Sequence, residues 1–155
     1  MINSIVHDFG FCSLSITEEN DEIIGISFSG DGAARPDAAL SPALRIAITQ
    51  LGEYFDGGRQ CFDLKLRLRG SDFQRSVWNA LLAIPFGETR TYKDIALKIG
   101  NPNAARAAGG ACNKNPIAIV VPCHRVVGTN GNLTGYAGGL NVKRRLLDLE
   151  FGLKE

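Results

Sequence analysis

Ile117-Ala118-Ile119-Val120-Val121-Pro122-Cys123-His124-Arg125-Val126-Val127 is the stretch on which the rest of the chain turns. Its first five residues are apolar and, Ala118 apart, all Ile or Val, which predicts a short buried strand. Pro122 ends that strand, because proline has no N–H to give to a ladder. A thiol, an imidazole and a guanidinium follow directly. Reactive side chains at the mouth of a rigid element are where a chain can fix a nucleophile. Cys123 is therefore the candidate nucleophile.

Working outward, Gly70-Ser71-Asp72 marks a change in character. Residues 1–70 predict an N-terminal α/β scaffold domain. Ser4 to Thr17 alternates and reads as one strand, Glu18–Glu22 as a polar turn, and Ile23–Phe28 as the second strand of an antiparallel hairpin. Gly30–Pro36 is a loop by composition. Ser41-Pro42 opens a helix with Leu44, Ile48, Leu51 and Phe55 on one face, closed by Gly57-Gly58. Cys61–Arg69 alternates cleanly and predicts a half-buried strand.

Residues 71–155 predict a mostly helical second domain. Phe73, Val77, Trp78, Leu81 and Leu82 mark one helix, ended before Pro85. Thr91-x-x-Asp94 has the form of a capping box and starts a helix from Tyr92 to Ile99, closed by Gly100. Asn103 is placed to cap the next helix, Ala104–Ala111. Helix, short turn, helix is the outline of a helix-turn-helix. The second helix is nearly bald, with Arg106 its one long cation. Its small side chains suit either close packing against another helix or a narrow space read by shape, with Arg106 as a wedge. Gly128–Gly139 is a Gly/Asn-rich loop of the kind that walls a pocket. Asn141 is placed to cap a last helix that buries Leu146 and Leu149. Glu150 near its end runs against the helix dipole, which favours a cation there. Either it is a solvated surface residue or it has another task.

Composition bounds the rest. At 155 residues, 45% hydrophobic and 21% charged, the chain has the make-up of an ordinary globular protein. No apolar run approaches the roughly 20 residues that span a bilayer, and the start lacks a secretory pattern, so the expected location is cytoplasmic. The net charge of +1 excludes a bulk polycation. The charges are nevertheless segregated: Glu18, Glu19, Asp21 and Glu22 lie early, and most Lys and Arg follow Lys65, so an anion would face the second half. Cys12, Cys61, Cys112 and Cys123 form no C-x-x-C pair and, with His7 and His124, no zinc pattern; neither metal nor cofactor is expected. The first three are expected to be small buried hydrophobes.

The second half resembles the O6-alkylguanine-DNA alkyltransferases, or methylated-DNA–protein-cysteine methyltransferases. The resemblance is carried by Gly87-Glu88-Thr89-Arg90-Thr91-Tyr92, Arg106-Ala107-Ala108-Gly109-Gly110-Ala111, Asn115-Pro116, Pro122-Cys123-His124-Arg125-Val126 and Gly135-Tyr136-Ala137-Gly138-Gly139-Leu140, in order. It implies an RNase H-like N-terminal unit followed by a helical domain with a helix-turn-helix. It implies that Cys123 accepts the alkyl group, that His124 takes its proton through a water, and that Glu150 holds His124. Asn115 would brace the active-site turn. Arg106 would fill the gap left by a base flipped out of double-stranded DNA on the minor-groove side. Tyr92, Ala104, Ala105, Ala107, Gly109 and Arg125 would also contact DNA, and Tyr92 could donate a proton to the leaving guanine. The carbonyls of Cys123 and Val126, the Tyr136 ring and the Ala137 amide would line the pocket, in a monomer. Ala137 stands where some relatives carry Ser, and Ala118 where some carry Pro. The zinc ligands and DNA-methyl-sensing domain of some relatives have no counterpart, so no transcriptional role is expected.

The chemistry demands such residues. In-line attack on the alkyl carbon calls for a soft, strong nucleophile. An ordinary Cys is only a few per cent thiolate at neutral pH, so a neighbouring base could raise the reactive fraction about thirtyfold, roughly 2 kcal/mol. The thioether product has no easy hydrolytic exit, so the protein would act once. Three other readings share part of the pattern: a Cys-His hydrolase or amidase, which needs an oxyanion hole, a non-catalytic binder of alkylated DNA, and a helix-turn-helix regulator, which needs a more polar second helix.

Overall fold

The structure, a computed structural model, describes residues 2–28 and 40–152. The predicted loop Gly30–Pro36 lies outside the described residues. The chain forms two units: Met1–Leu68 with Pro116–Ala118, and Arg69–Asn115 with Ile119–Glu155. The sequence places all of 71–155 in the second domain; Pro116–Ala118 instead cluster with the first unit.

In the first unit, β1 (Ile2–Asp8), β2 (Ser13–Glu19) and β3 (Glu22–Phe28) form an antiparallel sheet in that order. Leu14 and Ile16 of β2 and Ile23 and Ile26 of β3 point inward. Helix α1 (Pro42–Phe55) starts where the Ser41 hydroxyl accepts from the Leu44 amide at 3.3 Å. It buries Leu44, Ala47, Leu51 and Tyr54, at the spacing of one helical face. The single predicted strand Ser4–Thr17 is in fact two. Gly10, at φ +83°, and a bond from the Phe9 amide to the Cys12 carbonyl (3.0 Å) reverse the chain between them. The apolar pattern runs unbroken through that turn because Phe9 and Phe11 have other work: their rings pack on Phe55 at 5.3 and 4.8 Å.

The predicted strand Cys61–Arg69 joins the sheet at one bridge, Ile23 with Leu66. Its alternation is real, but its polar backbone groups are met differently. The Gln50 side chain takes both the amide and the carbonyl of Asp63, at 2.9 and 3.1 Å, as a neighbouring strand would. Arg67 pairs with Glu19 and Glu22. Cys61 is exposed and Cys12 half-buried, against the expectation of burial for both; Cys112 is buried.

The predicted strand at Ile117–Val121 is also corrected. Its five residues are buried, yet the Ile26 amide and carbonyl bond Pro116 and Ala118, at 2.9 Å each, and then the chain turns. Ile119 has φ +71°. A β-branched residue in that region costs about 1–3 kcal/mol and persists only when its surroundings fix it. Full burial of the Ile119 side chain supplies that constraint. A short run buried on every side carries no periodicity that separates a strand from a buried turn.

In the second unit, α2 (Asp72–Leu82) opens on a capping box between Ser71 and Gln74. It buries Val77, Trp78 and Leu81. After β4 (Arg90–Thr91) comes α3 (Tyr92–Lys98), with the expected capping box between Thr91 and Asp94. Helix α4 (Ala105–Asn113) has Ala104, not Asn103, at its N-cap, with no side-chain bond. The Trp78 indole N–H donates to the Ala111 carbonyl at 2.8 Å and ties α4 to α2. Cys123–Arg125 is one 3-10 turn, and β5 (Val126–Val127) follows. Helix α5 (Leu140–Phe151) has Gly139, at φ +95°, at its N-cap, not Asn141. It buries Leu147 where Leu149 was expected, together with Lys143, Leu146 and Glu150. β4 and β5 pair in parallel, Arg90 with Val126 and Thr91 with Val127. This pair fixes the start of α3 against the end of the 3-10 turn. Among the described residues, no helix is long and apolar enough to cross a membrane.

Candidate active site

Pro122 is the N-cap of the 3-10 turn, and its carbonyl accepts from the Arg125 amide at 3.0 Å. Such a turn advances about 120° per residue. The side chains of Cys123 and His124 therefore leave it in different directions. Both are buried, His124 completely. The Asn115 side-chain amide donates to the Val121 carbonyl at 2.7 Å and to Cys123 Sγ at 3.2 Å. One residue at the end of α4 thus braces the turn and touches the sulfur.

Glu150 lies on the inner face of α5. Its Oε2 is 2.6 Å from His124 Nε2 and accepts from Arg125 Nη2 at 3.1 Å. Its Oε1 accepts from Arg125 Nε at 2.7 Å and from the Gly87 amide at 3.2 Å. Burial alone would raise the Glu150 pKa; the donors from His124 and Arg125 outweigh it and bring the value to about 2. The carboxylate is ionised and can only accept, so Nε2 carries the imidazole proton. Nδ1 is then the basic nitrogen, and it has no hydrogen-bond partner among the described residues. Burial pushes His124 down despite Glu150, which keeps the ring neutral near pH 7. Burial pushes the Cys123 thiol up, more than Asn115 and Lys143 pull it down. The resting pair is thiol and imidazole, and the thiol needs a base to become thiolate.

Arg125, expected among the DNA contacts, is buried instead. Besides Glu150 it bonds the Ile84 carbonyl at 2.7 Å, and its guanidinium lies 5.8 Å from the Phe86 ring centroid. A guanidinium committed to a buried carboxylate cannot also reach a phosphate. The Ala104 side chain, expected on the same surface, is buried too. Arg106 and Ala107 are exposed, and Ala105 and Gly109 half-buried. Tyr92 lies over Gly109: a Cβ added there would sit 3.7 Å from its ring carbons. Tyr92, Arg106, Gly109, Gly110, Thr134 and Gly135 line an open groove of about 570 Å³. Val126 is fully buried, Tyr136 half-buried and Ala137 exposed. A larger cavity, about 620 Å³ between α2 and α3, is lined by Ala80, Ile84, Arg90, Asp94 and Lys98 and holds none of the predicted site residues.

Lys143 went unnoticed in the sequence. It is fully buried and donates to the Thr134 carbonyl at 3.1 Å. Burial lowers its pKa, and its charge acts on Cys123 and Cys112. Cys112 itself is pushed to about 12, first by burial and then by Cys123. The signal for Lys143 was available: it stands seven residues before Glu150, on the face that also buries Leu146 and Leu147. Among the described residues, no three His, Cys, Asp or Glu come together as metal ligands would.

A thiol braced by an amide, beside an imidazole held by a carboxylate, is the residue set that a cysteine-nucleophile site calls for. Comparison gives that class a family. The family profile described as "6-O-methylguanine DNA methyltransferase, DNA binding domain" matches residues 72–151. The methylated-DNA–protein-cysteine methyltransferase of Methanosarcina barkeri is 61% identical over 106 residues, 68% of this chain and 67% of that protein. Its Mycobacterium tuberculosis counterpart is 62% identical over 104 residues, 67% of this chain and 63% of its own length. The crystal structure of M. tuberculosis O6-methylguanine methyltransferase matches with a TM-score of 0.87 and 44% identity, over 100% of this chain and 96% of that one. M. tuberculosis OGT in complex with DNA matches with a TM-score of 0.85 and 46% identity, over 95% and 91%. The chain belongs to the methylated-DNA–protein-cysteine methyltransferase family.

Proposed function

We propose that this protein repairs alkylated DNA by moving the alkyl group from O6 of guanine to its own Cys123. The supporting observation is the Asn115–Cys123 and His124–Glu150–Arg125 arrangement in a chain of this family. Glu150 holds the Nε2 proton of His124, so Nδ1 takes the thiol proton, by way of a water because the two side chains diverge. The thiolate attacks the alkyl carbon. A C–S bond forms, the C–O bond breaks, and the electron pair leaves on the guanine oxygen. Tyr92, whose pKa burial raises, keeps its proton available for that leaving group. The carbonyls of Cys123 and Val126, the Tyr136 ring and the Ala137 amide line the pocket for the base. The thioether is stable, so each molecule reacts once.

The target atom lies in a stacked duplex, and the base must be extruded at a cost of a few kcal/mol. Helices α3 and α4 form the helix-turn-helix that enters the minor groove, with Arg106 filling the vacated position. The exposure of Arg106 and Ala107 supports this placement. The unit Arg69–Asn115 with Ile119–Glu155 is the DNA-binding and alkyl-accepting domain, and the other an RNase H-like scaffold. The protein works as a cytoplasmic monomer.

The test is incubation with a duplex containing one O6-methylguanine, followed by peptide mass mapping. The expected result is one added CH2 on the peptide bearing Cys123, and none for Cys123→Ser, which still binds the duplex. An unmodified Cys123 in folded protein would refute the reading.

A further inference from the structure

Thr134, in the loop between β5 and α5, offers two groups that the chemistry above leaves unused. Its Oγ1 lies 2.6 Å from Tyr92 Oη. Its main-chain carbonyl accepts from Lys143 Nζ at 3.1 Å. Lys143 is fully buried, so its ammonium has no water to exchange for that carbonyl, and the bond is charge-assisted. The loop backbone is thereby anchored to α5 at the residue whose hydroxyl meets the phenol. Thr is stiff at χ1, so fixing its backbone largely fixes where its hydroxyl points.

Tyr92 needs such a partner. The approach of Gly109 holds the ring face but says nothing about which of its two in-plane directions the phenolic O–H takes. A second hydroxyl 2.6 Å away sets that direction. Both residues line the groove that also carries Arg106.

We propose that Thr134 is a positioning residue for alkyl transfer, holding the Tyr92 phenol at the groove wall through its hydroxyl while Lys143 locks its main chain. The inference rests on the alkyl-transfer reading and adds a residue to it. The carbonyl contact survives any side-chain change at 134, so the hydroxyl can be tested alone.

The experiment is single-turnover methyl transfer from a duplex bearing O6-methylguanine, followed by the gain of CH2 on the intact protein. It compares wild type, Thr134→Val, Thr134→Ser, Tyr92→Phe and the Thr134→Val/Tyr92→Phe double variant. Thr134→Val should react about tenfold more slowly at an unchanged melting temperature, while Thr134→Ser stays within about twofold of wild type. In the Tyr92→Phe background, Thr134→Val should add no further loss, because the hydroxyl acts through the phenol. The inference is overturned if Thr134→Ser is as slow as Thr134→Val, or if the two losses multiply in the double variant. Should Thr134→Val melt early, the Ser variant and the Tyr92 background still decide. A wild-type protein that gains no CH2 sinks the alkyl-transfer reading itself; a reactive wild type with a full-speed Thr134→Val sinks only this inference.

Discussion

Glu150 accepts from His124, from Arg125 and from the Gly87 amide, all in a site closed to solvent. Removing one partner from a buried charged network leaves the others uncompensated, at about 3–5 kcal/mol. Glu150→Gln is therefore expected to lower stability by about 3 kcal/mol, read in denaturant melts. It should also slow alkyl transfer, because the proton on Nε2 loses its acceptor. The pH profile follows from the resting pair. Protonating His124 removes the base, so acid slows the reaction. Burial places its pKa below the ordinary 6.5, so the midpoint of the acid limb should lie below pH 6.5. A midpoint above that value would contradict the assignment. At this scale the sequence was readable at a thiol beside an imidazole; it left Glu150 open between a solvated residue and another task. It was silent on Lys143 and misplaced Arg125. A cation looks the same in a sequence whether it faces phosphate or a buried carboxylate.

Helices were legible as elements from their period, and their caps only in part: Asn103 and Asn141 are not the N-caps of α4 and α5. The Thr91–Asp94 and Ser41 caps stand where the residues predict them. Strands were less so. The hidden turn at Gly10 and the bridged segments around Leu66 and Ile117 depend on partners far along the chain, which no local pattern contains. Two predictions belong to elements. A Cβ on Gly70 would lie 2.6 Å from the buried Trp78 ring. Gly70→Ala should therefore cost about 1–3 kcal/mol through overpacking, visible as a lower melting temperature. Arg106 projects from α4 into solvent. Arg106→Ala should slow repair of a duplex substantially while leaving reaction with a free O6-alkylated base near wild type. Equal losses on both would refute its role as a plug.

For the molecule as a whole, acid is the informative variable. Glu150 falls from 4.5 to about 2 on folding, so its contribution is complete above 4.5 and is lost as pH drops toward 2. His124 falls below 6.5 on folding, so the unfolded chain binds that proton first, and stability starts to decline below 6.5. Both act in the same direction. Thermal melts should show a decline beginning near 6.5 and steepening below 4.5, and Glu150→Gln should flatten the steeper part. A melting temperature that rose on acidification would contradict both assignments.

The excursion of Pro116–Ala118 to the β3 side has a consequence for heredity. Each unit is written in two pieces that alternate along the gene. No single break parts the two units cleanly: a cut before Arg69 carries Pro116–Ala118 off with the second unit, and a cut after Ala118 leaves Arg69–Asn115 with the first. Recombination that trades halves between relatives must therefore import a matching tripeptide with the foreign sheet. A fragment beginning at Arg69 would carry Ile117 with its bonding edge stripped away, and aggregation upon expression is the outcome to look for.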